Sequence, residues 1–366
     1  YTTLFRSRGD RLDGWMLIDG VGEFSSRDES VFRSGSASLK MGGLSADNPR
    51  GRAAVAFPVL PYRQYRVDMW IKTEGLLPNR AFRAMILSPE GRTISQASPE
   101  NLPSTSDWVR FSMLFNSAEC SEARLYLGVW EGRGGGFHVD DVCVAEVGLV
   151  EPLRREGTPF VVRGADGSVL REGEDYEAVK CVRFGARMDT LSQRLRIPRG
   201  SRVREGDVIT VDYYHPARLE HGQMSACMSD RCLDPYFAKT AADIAALCSP
   251  KRWFLDLDEI RAGGTCAACE AQNTDMAHIL ADCIARQCQF IREVCPEAEI
   301  YIWSDMLDPN HNAHDNYCNC KGTFEGVWNL VPKDLVISCW YHKKREQSMP
   351  FFEKLGFRTP FCGVHP

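Results

Sequence analysis

Short runs of alternating apolar and polar residues fill the first 148 positions. "SASLKM", "GRAAVAFPV", "QYRVDMWIKT", "FRAMILS", "WVRFSMLF", "ARLYLGVW" and "GFHVDDVCVAEV" follow one another, separated by Gly, Pro, Asn and Ser. Period-two patterning at this spacing predicts an antiparallel β-sandwich over 1–148. Residues 149–215 keep the β character in a smaller piece, with "ADG" and "EGD" as hairpin-turn signals and no evident chemistry, and are expected to form a connector.

From 216 onward the period changes. Strand-like runs ("GQMSACMS", "RWFLDLDE", "EIYIWSDM", "DLVISCWYH", "TPFCGV") alternate with helices expected at 234–248, 274–295 and 346–355. Asp234 is expected as the N-cap of the first helix, with Pro235 at its first position. Met276, Ile279, Leu280, Cys283, Ile284, Phe290, Ile291 and Val294 make one apolar stripe on the second. Strand–helix alternation with nearly continuous apolar strands predicts a parallel sheet covered by helices. Five such runs suit either an open sheet or part of a TIM-type (β/α)8 barrel. Polar clusters at successive strand ends favour the barrel. The expected fold is thus multidomain: a β-sandwich of jelly-roll type, a small β piece and an α/β portion at 216–366.

The net charge of −5 offers no electrostatic footprint for nucleic acid or an anionic membrane. No apolar run is long enough to span a bilayer and no signal peptide is visible. The chain starts at Tyr1 rather than Met, so a removed leader or further fold upstream is open. Fifteen cysteines is an odd number. Several lie inside apolar runs, where Cys acts as a small hydrophobe, so the count does not fix a compartment.

The strand ends carry the candidate chemistry. One offers Asp256, Asp258, Glu259 and Arg261; the next offers Trp303, Asp305, Asp308, Asn310, His311 and Asn312; the third offers Trp340, Tyr341 and His342. Ionised carboxylates are costly to bury in a core strand, so acids at its end point to a pocket. A lone Asp-Glu at a strand end commonly caps a helix or pairs with a basic neighbour such as Arg261. Three consecutive ends of the same character favour a site where acids meet flat apolar walls, as a pyranose ring requires. "CAAC" (Cys266, Cys269) and "YCNC" (Cys318, Cys320) fit a structural zinc, a disulfide or free buried thiols. Asp308, His311, His314 and Asp315 crowd one loop, which raises a metal-dependent hydrolase or deacetylase as an alternative.

Two resemblances follow. "SGSASLKM", "YRVDMWIKT", "WVRF" and the closing "HVDDVCVAEV" resemble the carbohydrate-binding jelly rolls attached to secreted glycosidases. This implies glycan binding, a secreted, periplasmic or cell-surface location, and Asp140 and Asp141 as candidate ligands of a structural calcium; the same two aspartates would equally satisfy loop amides. "LDLDEIR", the "IYIWSDM" strand and the Trp-Tyr strand resemble family 20 glycoside hydrolases and their uncharacterised bacterial barrel relatives. That likeness covers about 250–345 and implies Glu259 as general acid and Asp258 as partner of a 2-acetamido group. It also implies Trp303 and Trp340 as sugar-stacking walls, and Asp305 and Tyr341 as contacts. The family usually carries a His and two Gly before the pair, where Leu255, Asp256 and Leu257 stand here. It also implies that roughly three of the eight barrel strands lie upstream of the jelly roll, outside this chain. The expected activity is therefore glycoside hydrolysis of an oligo- or polysaccharide, with no cofactor needed for catalysis. The rival expectation is a non-catalytic glycan-binding protein on a barrel scaffold.

Overall fold

The computed structural model describes residues 3–6, 14–155, 157–180 and 188–362. The chain divides into two compact units, Tyr1–Met224 and Ser225–Pro366.

The first unit opens with eleven strands: β1 (Thr3–Arg6), β2 (Met16–Leu17), β3 (Ser25–Asp28), β4 (Ser38–Met41), β5 (Gly51–Pro58), β6 (Gln64–Leu77), β7 (Phe82–Leu87), β8 (Thr93–Ala97), β9 (Ser106–Asn116), β10 (Glu122–Val129) and β11 (Gly134–Glu146). They form two antiparallel sheets, β3-β4-β11-β6-β9 with β1 also on β11, and β2-β5-β10-β7-β8. Pairing is nested: β7 with β8, β6 with β9, β5 with β10, β4 with β11, alternating between the sheets. A long hairpin rolled up in this way is a jelly roll.

The period-two pattern accounts for the core. On β6, Tyr65, Val67, Met69 and Ile71 are fully buried while Arg66, Asp68, Trp70 and Lys72 alternate outward. Phe82 sits edge-on to Phe111 and Phe137 at 6.4 and 5.3 Å, an arrangement that suits the ring quadrupoles. Where β11 bulges against β6, Gly135 has φ +73° and any Cβ would lie 2.2 Å from the Gly75 carbonyl, so glycine alone fits. β12 (Val161–Arg163), β13 (Val169–Leu170) and β14 (Thr210–Asp212) make a small antiparallel sheet over Val162, Leu170 and Tyr176. As "ADG" predicts, Gly167 turns the β12–β13 hairpin at φ +79°.

In the second unit β15 (Arg252–Leu255), β16 (Glu299–Trp303) and β17 (Val336–Ser338) are parallel and adjacent in that order. Residues 358–362 extend the sheet beside β17 through the parallel bridges Val336–Arg358 and Cys339–Phe361. Positions 363 and 364 of the expected last strand lie outside the described residues. Four helices accompany the sheet: α1 (Asp234–Cys248), α2 (Ala267–Glu270), α3 (Met276–Val294) and α4 (Arg345–Lys354). Leu255, Ile302 and Ile337 form one row across the strands and share a core with Ile279, Leu280 and Ile284 of α3. Asp275 caps α3 by accepting from the His278 N–H at 2.9 Å.

Several expectations are corrected. A closed TIM-type barrel is absent among the described residues. A barrel needs eight strands, and here the sheet is open, with Phe254 on its other face still 44% exposed. "GQMSACMS" makes no ladder: Glu220 and Gln223 close a tight turn, and 225–229 run without a partner strand. α1 is capped by Leu233, not Asp234. Asp234 is its first residue, and its carboxylate is spent on the buried Arg286. Val294 ends the stripe of α3 exposed.

Candidate functional site

Asp305 joins the three strand ends. It follows β16 in a short 3-10 turn and is completely buried. Its Oδ2 accepts from the Glu259 backbone N–H at 2.8 Å and from Asn312 Nδ2 at 3.0 Å. Its Oδ1 receives a long bond of 3.4 Å from Trp340 Nε1. Those donors come from the segments after β15, β16 and β17, so the expected convergence is present. Burial pushes the Asp305 carboxyl above the ordinary range, and the three donors only partly offset it.

The acids after β15 are not alike. Glu259 adopts φ +43°, a left-handed conformation that a non-glycine residue holds only where its surroundings fix it. Its side chain makes an ion pair with Arg261 at 2.9 Å, and Arg261 also donates to the Glu259 carbonyl at 2.7 Å. Glu259 is therefore engaged by a cation. Asp258 is the opposite case. Loss of part of its hydration, the charge of Asp305, and a hydrogen bond with and charge on Asp256 push it up to about 6. Two carboxyls that meet share a proton more readily than they both ionise.

Aromatic walls stand on one side of Asp305. His311 stacks on Tyr341 at 4.3 Å and meets Trp340 edge-on at 4.6 Å. Burial depresses the His311 imidazole, against the pull of Asp305, Asp308 and Glu259. Trp303 packs instead on Phe254, with ring centroids 4.6 Å apart. As the last residue of β16 it takes the face opposite Ile302, a consequence of strand alternation. Asp308 is buried and holds its own loop, its Oδ1 accepting from the Asn310 N–H at 2.8 Å. His314 Nδ1 meets the Asp315 carbonyl at 2.9 Å. Among the described residues, Asp308, His311, His314 and Asp315 do not bring three ligand atoms together, so the loop metal site expected as an alternative is not formed.

The cysteines regroup. Cys266 and Cys269 are joined by Cys227 rather than by Cys318 and Cys320, with all three sulfurs within 4.8 Å. Cys320 is buried and serves the loop, its Sγ accepting from the Gly263 N–H at 3.2 Å and donating to the Ile260 carbonyl at 3.3 Å. The Cys318 carbonyl accepts from the Ala262 N–H at 3.0 Å. Burial and the neighbouring thiols push Cys227 up to about 12. Burial also works against ionising Cys269, but bonds from Ser229 and the Gly264 N–H and from both other thiols outweigh it and hold Cys269 below its ordinary value. Cys227 escaped the sequence reading because it lies 39 residues before Cys266 in a run that reads as a strand.

In the first unit Asp140 and Asp141 hold a loop. Asp140 accepts from the backbone N–H groups of Arg33, Ser34 and Asp141, and Asp141 takes the Arg33 guanidinium and the Ser34 hydroxyl. Protein donors reach all four carboxylate oxygens, the loop-amide role open for this pair in the sequence. On the solvent face of β10, Tyr126 meets Trp130 edge-on at 5.3 Å, flanked by Arg52 and Arg83. Arg52 is fixed by a two-pronged pair with Asp19 at 2.7 and 2.8 Å. A cleft of about 1130 Å³ lies over the outer face of β6 and β9, lined by Arg66, Arg110, Ser112, Glu151 and Gln193.

No family model matches the chain, and no curated protein matches it. Among solved structures it is similar to the enzymatically active domain of tailspike protein 4 of bacteriophage CBA120, at 12% identity and a TM-score of 0.31. That match spans 38% of this chain and 20% of the tailspike chain. It is also similar to the CBM22-1 xylan-binding domain of Paenibacillus barcinonensis Xyn10C, at 15% identity and a TM-score of 0.30 over 40% of this chain and 96% of that one. A family 16 carbohydrate-binding module follows at 13% identity and 0.28, over 37% and 94%. At these scores the likeness is slight, and the jelly roll rests on the strand pairing itself. No helix among the described residues is long and apolar enough to cross a membrane.

Proposed function

We propose that the chain acts on glycans: the parallel-sheet unit hydrolyses a glycosidic bond, and the jelly roll binds polysaccharide outside the cell. The observation that carries the proposal is the Asp305 tie, which gathers three strand ends next to Asp258, an exposed carboxyl that the charge of Asp305 helps raise to about 6. An acid of that strength is partly protonated at neutral pH and can deliver a proton to a departing glycosidic oxygen. The acid role moves from Glu259 to Asp258 because Arg261 already engages Glu259. Glu259, as an ion-paired carboxylate, is placed to stabilise positive charge developing on the sugar ring. Trp340, Tyr341 and His311 supply the flat wall. The 2-acetamido glycosides implied by the sequence resemblance are the first substrates to try.

One observation favours the non-catalytic alternative: Arg261 pairs with Glu259, the carboxylate that the sequence resemblance implies as general acid. The test separates the two readings. Asp258→Asn should lower turnover of glycosides with poor leaving groups by about 10²–10⁴, while substrates with good leaving groups lose far less. Capture of glycans by the full chain with no turnover of any aryl glycoside would establish the binding reading instead.

A further inference from the structure

Three sulfurs meet in the second unit with no covalent bond between them. Cys227 Sγ lies 3.3 Å from Cys266 Sγ and 3.6 Å from Cys269 Sγ. A zinc ion with Zn–S distances of about 2.3 Å sets tetrahedral sulfurs about 3.8 Å apart. The two spacings fall about 0.5 and 0.2 Å short of that value, and all three sulfurs lie within 4.8 Å of one another. A disulfide, at about 2.05 Å, would use only two of the three and leave the third against it. We propose that Cys227, Cys266 and Cys269 hold one zinc ion as a three-thiolate tripod, with a solvent-borne ligand in the fourth position.

Hydrogen-bond donors surround two of the three sulfurs. Ser229 Oγ donates to Cys269 Sγ at 3.4 Å, and the backbone N–H groups of Gly264 and Ser229 point at Cys269 and Cys227. Such donors orient and stabilise metal-bound sulfur. Access is graded: Cys269 is buried, Cys227 is half-buried and Cys266 is exposed, so the open coordination position faces solvent beside Cys266. No fourth His, Cys, Asp or Glu ligand atom joins the group among the described residues.

The cation would also supply a link that the backbone does not. The segment carrying Cys227 has no strand partner, whereas Cys266 ends the loop that begins at Asp256 and Cys269 lies in α2, which follows it directly. That loop is tightly placed: a Cβ on Gly264, at φ +76°, would fall 2.8 Å from the Lys321 carbonyl. Tying Cys227 to it fixes the start of the unit against the loop that carries Asp258, Glu259 and Arg261. This inference does not depend on the proposed hydrolase activity.

The full chain, purified under reducing conditions, is expected to carry one zinc by elemental analysis. Exchange with cobalt should produce a sulfur-to-cobalt charge-transfer band and the visible bands of a tetrahedral site. Cys227→Ser, Cys266→Ser and Cys269→Ser should each weaken zinc binding by at least about tenfold, whereas Cys248→Ser and Cys320→Ser should keep it. If the serine variants fold poorly, the wild-type chain decides, because zinc should shield Cys227, Cys266 and Cys269 together from alkylation mapped by mass. Failure of the reduced chain to bind either metal would overturn the proposal, as would a Cys227–Cys266 disulfide that excludes metal from the purified chain.

Discussion

Asp258 is costly where it stands. Its carboxyl titrates near 6 rather than 3.8, so the fold disfavours its charged form. That cost is absent below about pH 4, grows between the two values and is constant above 6. Asp258→Asn removes it, so the variant should be more stable than the parent at pH 7, with a gain in midpoint that vanishes near pH 4 in urea titrations. Activity should show the opposite dependence, because a proton donor works only while protonated: kcat/KM should fall as pH rises through about 6. Asp256, Asp258 and Glu259 stood out in the sequence because ionised carboxylates are costly beside an apolar strand. Their roles did not. Arg261 turns onto Glu259 two residues back, and Asp305 arrives 46 residues later in sequence. The Arg261 pair was open in the sequence as the common use of a lone Asp-Glu, whereas the Asp305 contact leaves no mark on local patterning.

At the scale of elements, Glu151 pairs with Arg218 at 2.5 Å in the jelly-roll unit, both nearly inaccessible. The pair clamps the two ends of the small β piece across 67 residues. Glu151→Ala would leave a buried guanidinium without its carboxylate and is expected to cost about 3–5 kcal/mol. The double variant Glu151→Leu/Arg218→Met, which removes both charges, should cost much less in the same denaturant melts. The elements themselves were mostly legible: β4, β5, β6, β7, β9, β10 and β11 fall where alternation predicts them, as do β15, β16, α1 and α3. β8 was missed because "TISQA" is mostly polar, although Ser95 in it is fully buried and faces the Leu114 carbonyl at 3.3 Å. "GQMSACMS" reads as a short strand but pairs with none, and its Cys227 sulfur meets Cys266 and Cys269 instead.

For the whole molecule, two units with separate cores suggest separable tasks. If the jelly roll binds polysaccharide through Tyr126 and Trp130, then Tyr126→Ala/Trp130→Ala should weaken retention of the full chain on insoluble glycan. Hydrolysis of a small soluble substrate should stay within about twofold, because surface changes away from a site perturb little. Equal loss of both would assign that face a structural role. The nested strand pairing has a temporal consequence as well. The innermost pair, β7 with β8, closes over a short loop, while β4 must wait for β11, about a hundred residues further along. Loops that long make closure slow and its order predictable. The roll should assemble outward from β7–β8, like a zip drawn from its closed end. Ile86→Val, beside that end, should slow refolding, whereas Leu39→Ala on β4 should leave refolding nearly untouched and speed unfolding. Stopped-flow measurements on the two variants would read that sequence of events directly, and the reverse pattern would show that the seam closes from the outside.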